Sequence, residues 1–362
     1  MSKERPCEMC GEEHPVEALI EFGDIPMCEP CLESSTVICQ HCGTRIWNDD
    51  NAGDEDTPLC QHCYDRYYIS CDECGRVILE SQAYYDNGPL CSCCSRDSKV
   101  IHDYYHKPEP IFYGEDSRYF GVELEIDDAG ESDRKAAEIL DVANGNGLEH
   151  LYCKHDGSLD DGFELVTHPM TLDYHTEEMP WRGILAKAKE LGYLSHQART
   201  CGLHIHVNRT AFGANTTKQD ACIARILYFF EKHWEELLKF SRRTQRQLER
   251  WAARYGYKEH PMEILDKAKS AYGDCRYTCV NLTNATTVEF RIFRGTLKLN
   301  TLIATLQLVD RICDAAINLS DEEIKELSWT TFVAGCLQPE LVQYLKERQL
   351  YINEPVETEV EI

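Results

Sequence analysis

The sequence predicts an α+β fold for the larger part of the chain, preceded by three small metal-held modules. Six Cys-x-x-Cys pairs fill the first quarter of the chain at a regular period, and the remainder alternates strand-like runs with long amphipathic stretches. Alternation with a period of two indicates strands, and apolar residues at helical spacing indicate helices. We predict strands at 119–126, 163–167, 203–208, 277–282 and 287–293, and helices at 175–192, 217–252, 300–318 and 338–349.

Composition limits the classes of protein to consider. The chain has 362 residues, of which 43% are hydrophobic, enough for a large buried core. Its net charge of -26 repels phosphate backbones and anionic lipid, so we expect neither nucleic acid nor membrane as a partner. The sequence has no apolar run of membrane-spanning length and begins without a signal-peptide pattern, so we expect a cytoplasmic protein.

The cysteine pairs form a tandem array. Thirteen of the twenty cysteines precede residue 95. Two Cys-x-x-Cys pairs make up each repeat, and each repeat follows the one before it after 31 or 32 residues. A glycine follows each first pair, where a tight turn would let backbone amides approach the sulfurs. A proline at 26, 58 or 89 precedes each second pair. Aligning on that proline matches Cys94 with Cys31 and Cys63, and leaves Cys93 as a spare thiol.

Four thiolates at these spacings are typical of closed, tetrahedral structural zinc sites. The predicted zinc ligands are Cys7, Cys10, Cys28 and Cys31 in the first module, Cys39, Cys42, Cys60 and Cys63 in the second, and Cys71, Cys74, Cys91 and Cys94 in the third. We therefore expect three structural Zn²⁺ ions. The pattern resembles treble-clef and LIM-like fingers.

The array is acidic. Residues 1–100 hold 7 Lys and Arg against 20 Asp and Glu, which disfavours nucleic acid and favours docking of a protein or other substrate. We predict fingers at about 5–36, 37–68 and 69–98, a linker at 99–117, a catalytic domain at 118–350 and an acidic tail at 351–362.

Four polar clusters mark the larger domain. Their ionisable residues are Glu123 and Glu125, Asp156 and Glu164, His204 and His206, and Glu289 with Arg291 and Arg294. Residues two apart on a strand share a face, so these pairs point together while apolar neighbours such as Val122 and Ile205 point the other way.

Carboxylates with strand histidines suit two divalent cations, Mg²⁺ or Mn²⁺, and arginines suit phosphoryl oxygens. This combination indicates phosphoryl transfer from a nucleotide, without a glycine-rich phosphate loop.

These motifs resemble a known family. FGVELEID, KHDGSL followed by FELVTHP, CGLHIHVN and VEFRIFRGTL are similar in order and spacing to phage-type amidoligases, relatives of the glutamine synthetase and glutamate-cysteine ligase superfamily. The resemblance covers roughly residues 118–300 and implies an antiparallel catalytic sheet with long helices. It would place the protein in the host cytoplasm if it is phage-encoded.

The resemblance also implies a reaction. Such enzymes use ATP to convert a carboxylate into an acyl phosphate, which an amine attacks to give an amide. It implies one metal set at Glu125, Asp156 and Glu164, and a second at Glu123, Glu289 and either His204 or His206. Arg291 and Arg294 would neutralise the transferring phosphoryl group. Asp156 departs from the glutamate of glutamine synthetase.

Several residues have two interpretations. Arg242, Arg246, Arg250 and Arg254, with Arg243 beside them, form a row on a predicted helix that is either solvated or anion-binding. His168 either packs or acts in the site, and Asn281 either contacts substrate or ends a strand. Cys153, Cys201, Cys222 and Cys313 are predicted core thiols.

The leading hypothesis is an ATP- and Mg²⁺-dependent ligase for a carboxylate and an amine, whose fingers recruit a macromolecule, with a protein or a small molecule as substrate. Two alternatives remain: a non-catalytic zinc-finger adaptor, and a metal-dependent hydrolase. The sequence leaves the oligomeric state open.

Overall fold

The computed structural model of the protein describes residues 4–85, 88–92, 94, 100–270 and 277–351. It divides the chain into two compact units, Met1–Ser98 and Lys99–Ile362. The predicted spare thiol, Cys93, and residues 352–362 of the predicted tail lie outside the described residues.

In its described residues the first unit contains short antiparallel hairpins and the short helices α1 and α2. Its elements are β1 (Glu4–Pro6), β2 (Glu13–Pro15), β3 (Ile20–Phe22), β4 (Ile25–Met27), α1 (Glu29–Ser35), β5 (Thr36–Ile38), β6 (Arg45–Trp47), α2 (Gln61–Tyr67), β7 (Tyr68–Ser70), β8 (Val77–Leu79), β9 (Tyr84–Tyr85) and β10 (Pro89–Leu90). Consecutive strands pair as β1–β2, β3–β4, β5–β6, β7–β8 and β9–β10.

Glycine and cysteine determine the local geometry of this unit. Gly11, Gly43 and Gly75 have φ of 78°, 75° and 72°, the left-handed region in which a side chain is disfavoured. Each of these glycines closes the turn after a first cysteine pair. The helices α1 and α2 begin directly after Cys28 and Cys60, so each second pair spans a helix N-terminus.

Each finger buries few apolar side chains. In the first finger Cys7, Met27, Cys28 and Leu32 form a cluster, against which Trp47 of the second finger packs. Its ring lies 5.0 Å from that of Phe22, edge to face. A core of this size adds little stability to a module of about thirty residues, and a metal held by the cysteines would add to it.

A mixed seven-stranded sheet forms the centre of the second unit. Its strands are β11 (Ile101–His102), β12 (Phe120–Ile126), β13 (Leu151–Lys154), β14 (Phe163–Thr167), β15 (Gly202–Asn208), β16 (Val280–Asn281) and β17 (Thr287–Arg294). Their order is β11-β13-β14-β12-β15-β17-β16. Every pairing is antiparallel except the parallel edge pair β11–β13. The predicted α+β fold with an antiparallel catalytic sheet is therefore confirmed, with this one parallel edge.

Helices cover the apolar side of the sheet. They are α3 (Asp133–Ala143), α4 (Trp181–Glu190), α5 (Thr216–Lys232), α6 (Trp234–Ser241), α7 (Gln245–Trp251), α8 (Pro261–Ser270), α9 (Leu299–Asn318), α10 (Asp321–Glu326), α11 (Trp329–Ala334) and α12 (Pro339–Glu347), with a π-helical turn at Tyr174–Glu178. Val122, Ile205 and Phe290 are fully buried on this side, and the ring of Phe230 on α5 lies 5.8 Å from that of Phe290.

The predicted helix at 217–252 is wrong in its length. It is three helices, because α5 ends at Lys232, Arg242 adopts a left-handed φ of 62° after α6, and Thr244 starts α7 with a capping box. The predicted helix at 175–192 likewise begins with the π-helical turn, and Pro180 separates that turn from α4.

The predicted strand at 277–282 is also longer than the observed one, since only Val280–Asn281 is a strand. Part of the predicted linker at 99–117 is the edge strand Ile101–His102. None of the helices in the described part of the chain combines the length and apolar character that crossing a bilayer would require.

Candidate functional site

The polar face of the sheet gathers predicted residues from the adjacent strands β14, β12, β15 and β17. In the antiparallel register, Glu123 on β12 lies opposite His204 on β15, and His206 lies opposite Glu289 on β17. Residues directly opposite on neighbouring strands have side chains on the same face. Because Val122 pairs with Ile205, the apolar residues of the same strands occupy the other face.

Glu123, His206 and Glu289 form a tight group, with one potential ligand atom of each within 4.8 Å of the others. His206 Nε2 is buried and lies 3.3 Å from Glu123 Oε1, yet it makes no hydrogen bond to any described residue. Its other ring nitrogen, Nδ1, lies 3.1 Å from Thr287 Oγ1. A buried ring nitrogen without a hydrogen bond, facing two carboxylates, fits a metal ligand.

His204 lies between the two groups of carboxylates. Its Nδ1 is 3.3 Å from Glu123 Oε2 and 3.8 Å from Glu289 Oε1, and its Nε2 is 3.6 Å from Glu125 Oε1. Both histidines therefore lie close to Glu123. His206 belongs to the group with Glu123 and Glu289, and His204 lies between that group and Glu125.

Glu125, Asp156 and Glu164 form the second acidic group. Glu125 and Glu164 are opposite each other on β12 and β14, and a hydrogen bond joins Asp156 to Glu164. Burial raises the pKa of Glu164, and the Glu123 and Asp156 carboxylates raise it further, to about 11. Lys154 Nζ, the ion-pair partner of Glu164, is 3.8 Å away, too far for a strong bond. Glu164 therefore favours its protonated form unless a bound cation offsets the neighbouring carboxylates.

The charges of the first group are better balanced. Burial opposes ionisation of Glu123, but His206 and His204 outweigh burial and hold the Glu123 pKa well below its usual range. The pKa of His206 is raised, because Glu123 and Glu289 outweigh the effect of burial on the imidazolium. A divalent cation bound here would replace the proton on His206 Nε2.

Arg291 and Arg294 have different surroundings. Arg291 donates through Nη1 to Glu289 Oε1, and that carboxylate outweighs burial in raising the Arg291 pKa. Arg294 lies at the end of β17, in a separate cleft, where its pKa is lowered by burial and by Arg242. Both Nε atoms are buried without a hydrogen-bond partner among the described residues. Both guanidinium groups therefore retain a donor for an anion.

The sequence profile of a family described as "Putative amidoligase enzyme" matches residues 124–313, which are 190 of the 362 residues and thus more than half. The chain belongs to this amidoligase family. No curated protein matches the chain.

The amidoligase is similar to two solved structures. One is a bifunctional glutathione synthetase from Pasteurella multocida, with 14% identity, a TM-score of 0.38 and coverage of 64% of this chain and 46% of the other. The second is the complex between prokaryotic ubiquitin-like protein Pup and its ligase PafA, with 8% identity, a TM-score of 0.26 and coverage of 58% and 50%. The amidoligase thus spans about half the length of these structures.

Asn281, a residue with two interpretations in the sequence, and Asn284 and Tyr152, which the sequence did not indicate, lie beside the site carboxylates. Asn281 Nδ2 donates to Glu289 Oε2 at 2.7 Å, so Asn281 orients a site carboxylate rather than only ending a strand. Asn284 donates to the same oxygen at 3.3 Å. The side chain of Tyr152 lies near Glu123 and Glu164, and burial together with these carboxylates raises its pKa.

Arg243, which the sequence suggested only as a neighbour of the arginine row, lies close to His204. Its Nε donates to Phe293 O at 3.2 Å, and burial lowers its pKa to about 10 even though Glu125 favours its charge. A Cβ built on Gly202 would lie 2.6 Å from both Arg243 Nη2 and His204 Nε2. The absence of a side chain at Gly202 therefore lets a cation and a candidate ligand approach the same point of β15.

The predicted arginine row does not exist as one helix face, because the helix is broken at Arg242. Arg254 pairs with Glu231 at 2.8 Å, Arg250 lies over the Trp251 ring, and Arg246 is exposed. Only Arg242 and Arg243 reach the cleft that contains Arg294.

His168 packs outside the carboxylate group. Its Nδ1 accepts a hydrogen bond from Ile111 N at 3.2 Å, and its pKa is lowered mainly by burial. The thiols of Cys153, Cys201, Cys222 and Cys313 are buried, as expected for core residues.

The finger cysteines meet in the three predicted groups of four, each with its Sγ atoms within 4.8 Å of one another. Nearest sulfurs are 3.9 Å apart between Cys10 and Cys28, and 3.8 Å between Cys42 and Cys60. Cys28 N donates to Cys7 Sγ at 3.3 Å, a contact that favours the thiolate. Despite burial, backbone donors including Cys10 N and Cys28 N lower the pKa of Cys7 to about 6. All three groups fit tetrahedral zinc.

Proposed function

We propose that this amidoligase is an ATP- and Mg²⁺-dependent ligase that joins a carboxylate to an amine through an acyl-phosphate intermediate. The observation that carries the proposal is the group of Glu123, His206 and Glu289, in which the buried His206 Nε2 has no hydrogen-bond partner among the residues that the structure describes. Family membership selects amide-bond formation from the reactions that such a group can support.

The donor set fits two divalent cations. Glu123, Glu289 and His206 would hold one, and Glu125, Asp156 and Glu164 the other, with His204 between them. Carboxylate oxygens dominate both sets, which favours Mg²⁺ or Mn²⁺ over softer metals. When bound, such ions neutralise nucleotide phosphates and make the terminal phosphorus more electrophilic.

The chain's own residues position charge around that reaction. Arg291, held by Glu289, and Arg294, at the end of the same strand, would face the oxygens of the transferring phosphoryl group. Asn281 fixes the Glu289 carboxylate and so indirectly fixes Arg291. Groups that are already oriented need no rearrangement as charge develops, and this preorganisation is the usual source of a lowered barrier.

The reaction balances as two displacements. A substrate carboxylate oxygen attacks the terminal phosphorus of ATP, forming an acyl phosphate as the bond to ADP breaks. An amine nitrogen then attacks the acyl carbon, the bond to phosphate breaks, and the nitrogen loses a proton. The products are an amide or isopeptide, ADP and phosphate.

We further propose that the fingers recruit a macromolecular substrate. Met9, Ile38 and Tyr85 are exposed apolar side chains of a unit whose sequence is strongly acidic. A protein with a basic, partly apolar surface would complement that combination. The proposal places the protein in the cytoplasm, which supplies ATP and keeps zinc-binding thiols reduced.

The test incubates the full chain with ATP, Mg²⁺ and a cell extract, and follows nucleotides by chromatography and extract components by mass spectrometry. We expect ADP, with loss of one water between two partners. Glu289→Gln should abolish this activity, whereas Glu322→Gln, which changes an exposed carboxylate on α10, should leave it unchanged.

Other outcomes would reject the proposal. Release of AMP would indicate adenylation, and cleavage of extract components without ATP would indicate a hydrolase. Zinc-dependent partner binding without ATP turnover in any extract would indicate an adaptor.

A further inference from the structure

A cleft of about 570 Å³ lies beside the carboxylate groups and is lined mainly by cations. Lys239 comes from α6, Arg242 and Arg243 from the turn after it, Arg294 from the end of β17, and Arg348 from the residue after α12. A volume of this size is typical of pockets for small ligands or ligand tails.

The five cations lack carboxylate partners. Among the described residues, none of them forms an ion pair within 4.0 Å, although the chain has 63 acidic residues against 37 Lys and Arg. Arginines elsewhere in the domain do pair, as Arg225 does with Asp321 at 2.9 Å and Arg254 with Glu231 at 2.8 Å. Five converging cations that stay unpaired in so acidic a chain indicate an anionic ligand.

The side chains are held in place by neutral acceptors instead. Arg348 donates to Lys239 O at 2.9 and 3.0 Å, Lys239 Nζ to Gln349 O at 3.1 Å, Arg243 Nε to Phe293 O at 3.2 Å, Arg294 Nη1 to Arg242 O at 3.5 Å, and Arg242 Nη2 lies 3.1 Å from His196 Nε2. These bonds fix the positions of the cations without an ion pair within 4.0 Å, although Glu125 attracts Arg243 and Glu347 attracts Arg242 at longer range.

The charge state of His196 points to the same conclusion. Burial and the charges of Arg242, Arg294 and Arg348 lower the pKa of His196 to about 4. This histidine is therefore neutral, and the positive charge of the cleft comes from its arginines and Lys239. Glu235 is the one acidic residue among those that line the cleft.

We infer that this cleft binds a second acidic group of the carboxylate substrate, separate from the carboxylate that is activated. The inference rests on the proposed function. Arg294 lines the cleft and is also a candidate for the phosphoryl group, and Arg243 is attracted by Glu125. The substrate would therefore present its reacting carboxylate near Arg294 and its other acidic groups toward Lys239 and Arg348.

The nucleotide's own phosphates are the competing source of negative charge. The carboxylate groups provide ligands for the metals that would accompany those phosphates, and the cleft adds a net charge of about +4, from five cations and Glu235, in a different place. A polyanionic substrate, such as an acidic peptide, matches this charge.

Calorimetric titration of the full chain tests the inference without turnover. The probes are tri-L-glutamate, tri-L-glutamine of the same length without side-chain charge, and MgATP. We expect tri-L-glutamate to bind and tri-L-glutamine not to bind. Arg348→Gln and Lys239→Gln should each weaken tri-L-glutamate binding about tenfold, since each loses one charge-assisted contact. Arg246→Gln, an equal charge change at an exposed site outside the cleft, should change it less than about twofold.

The remaining outcomes distinguish an acidic group of the substrate from nucleotide phosphates as the ligand of the cleft. They also distinguish failure of this inference from failure of the ligase proposal. Weaker MgATP binding in Arg348→Gln and Lys239→Gln, with tri-L-glutamate unaffected, would assign the cleft to nucleotide phosphates and overturn the inference. Absence of tri-L-glutamate binding to the wild-type chain would also overturn it, even if ATP turnover is normal. Glu289→Gln should lose turnover and still bind tri-L-glutamate, so failure of the ligase proposal would be visible separately.

Discussion

Gly202→Ala tests the arrangement at the centre of the site, because a side chain at residue 202 would contact both Arg243 and His204. The added Cβ would lie 2.6 Å from Arg243 Nη2 and 2.6 Å from His204 Nε2, and ordinary contact begins at 3.4 Å. Each atom would have to move by about 0.8 Å, the difference between these distances. A displacement of about 1 Å at a catalytic group costs on the order of 100-fold in rate.

We therefore expect Gly202→Ala to lower kcat/KM for ATP-dependent amide formation by about 100-fold, or about 2.7 kcal/mol. Stability should fall by less than about 1 kcal/mol, because both displaced atoms are side-chain ends and Gly202 needs no positive φ. Steady-state kinetics and thermal denaturation measure the two effects.

Gly145→Ala is the matched control, since a Cβ there meets no atom within 4 Å and no positive φ is required. It should retain full activity. If Gly202→Ala is as active as Gly145→Ala, the positions of His204 and Arg243 do not matter for catalysis, and the assignment of this point of β15 is wrong.

Three further predictions address zinc, pH and the arginine row. Elemental analysis should find three zinc ions per chain and two in Cys60→Ser, and an unchanged zinc content would contradict the ligand assignment. His175 is buried, and burial lowers its pKa to about 4, so its neutral form contributes stability above pH 6.5 that is lost as pH falls from 6.5 to 4. The free energy of unfolding of His175→Asn should therefore change less between pH 6.5 and 4 than that of the wild-type chain, by up to about 3 kcal/mol, as measured by denaturation. Arg254→Gln should lower the free energy of unfolding by about 2 kcal/mol in urea titrations, because the Glu231 side chain, 1% exposed, loses its ion-pair partner. A change below about 0.5 kcal/mol would show that Arg254 behaves as a solvated surface residue.

The strands of the site were predictable because burial imposes their pattern. On β12, β15 and β17 one face must be apolar, so residues such as Val122 and Phe290 alternate visibly with Glu123 and Glu289. β13 lacks this signal, because three of its four residues are buried and its sequence does not alternate. β11 has two residues, too few for any period.

The helix at 217–252 could not be divided by periodicity alone. Neither glycine nor proline marks the ends of α5 and α6, and the amphipathic pattern continues across them. The available signal was Thr244 followed by Gln247, which form the capping box of α7. The basic cleft was even harder to predict from the sequence. His196, Arg294 and Arg348 come from distant parts of the sequence and meet only in the fold.

The most direct test of the central proposal is the fate of the substrate carboxylate oxygen. Amino acids and acidic peptides carrying ¹⁸O in their carboxylates are incubated with the full chain, ATP, Mg²⁺ and an amine pool, and the released phosphate is weighed by mass spectrometry. Activation of a carboxylate by phosphoryl transfer predicts phosphate with one ¹⁸O atom, formed together with an amide and lost in Glu289→Gln. Unlabelled phosphate, or label that appears in AMP, would contradict the account.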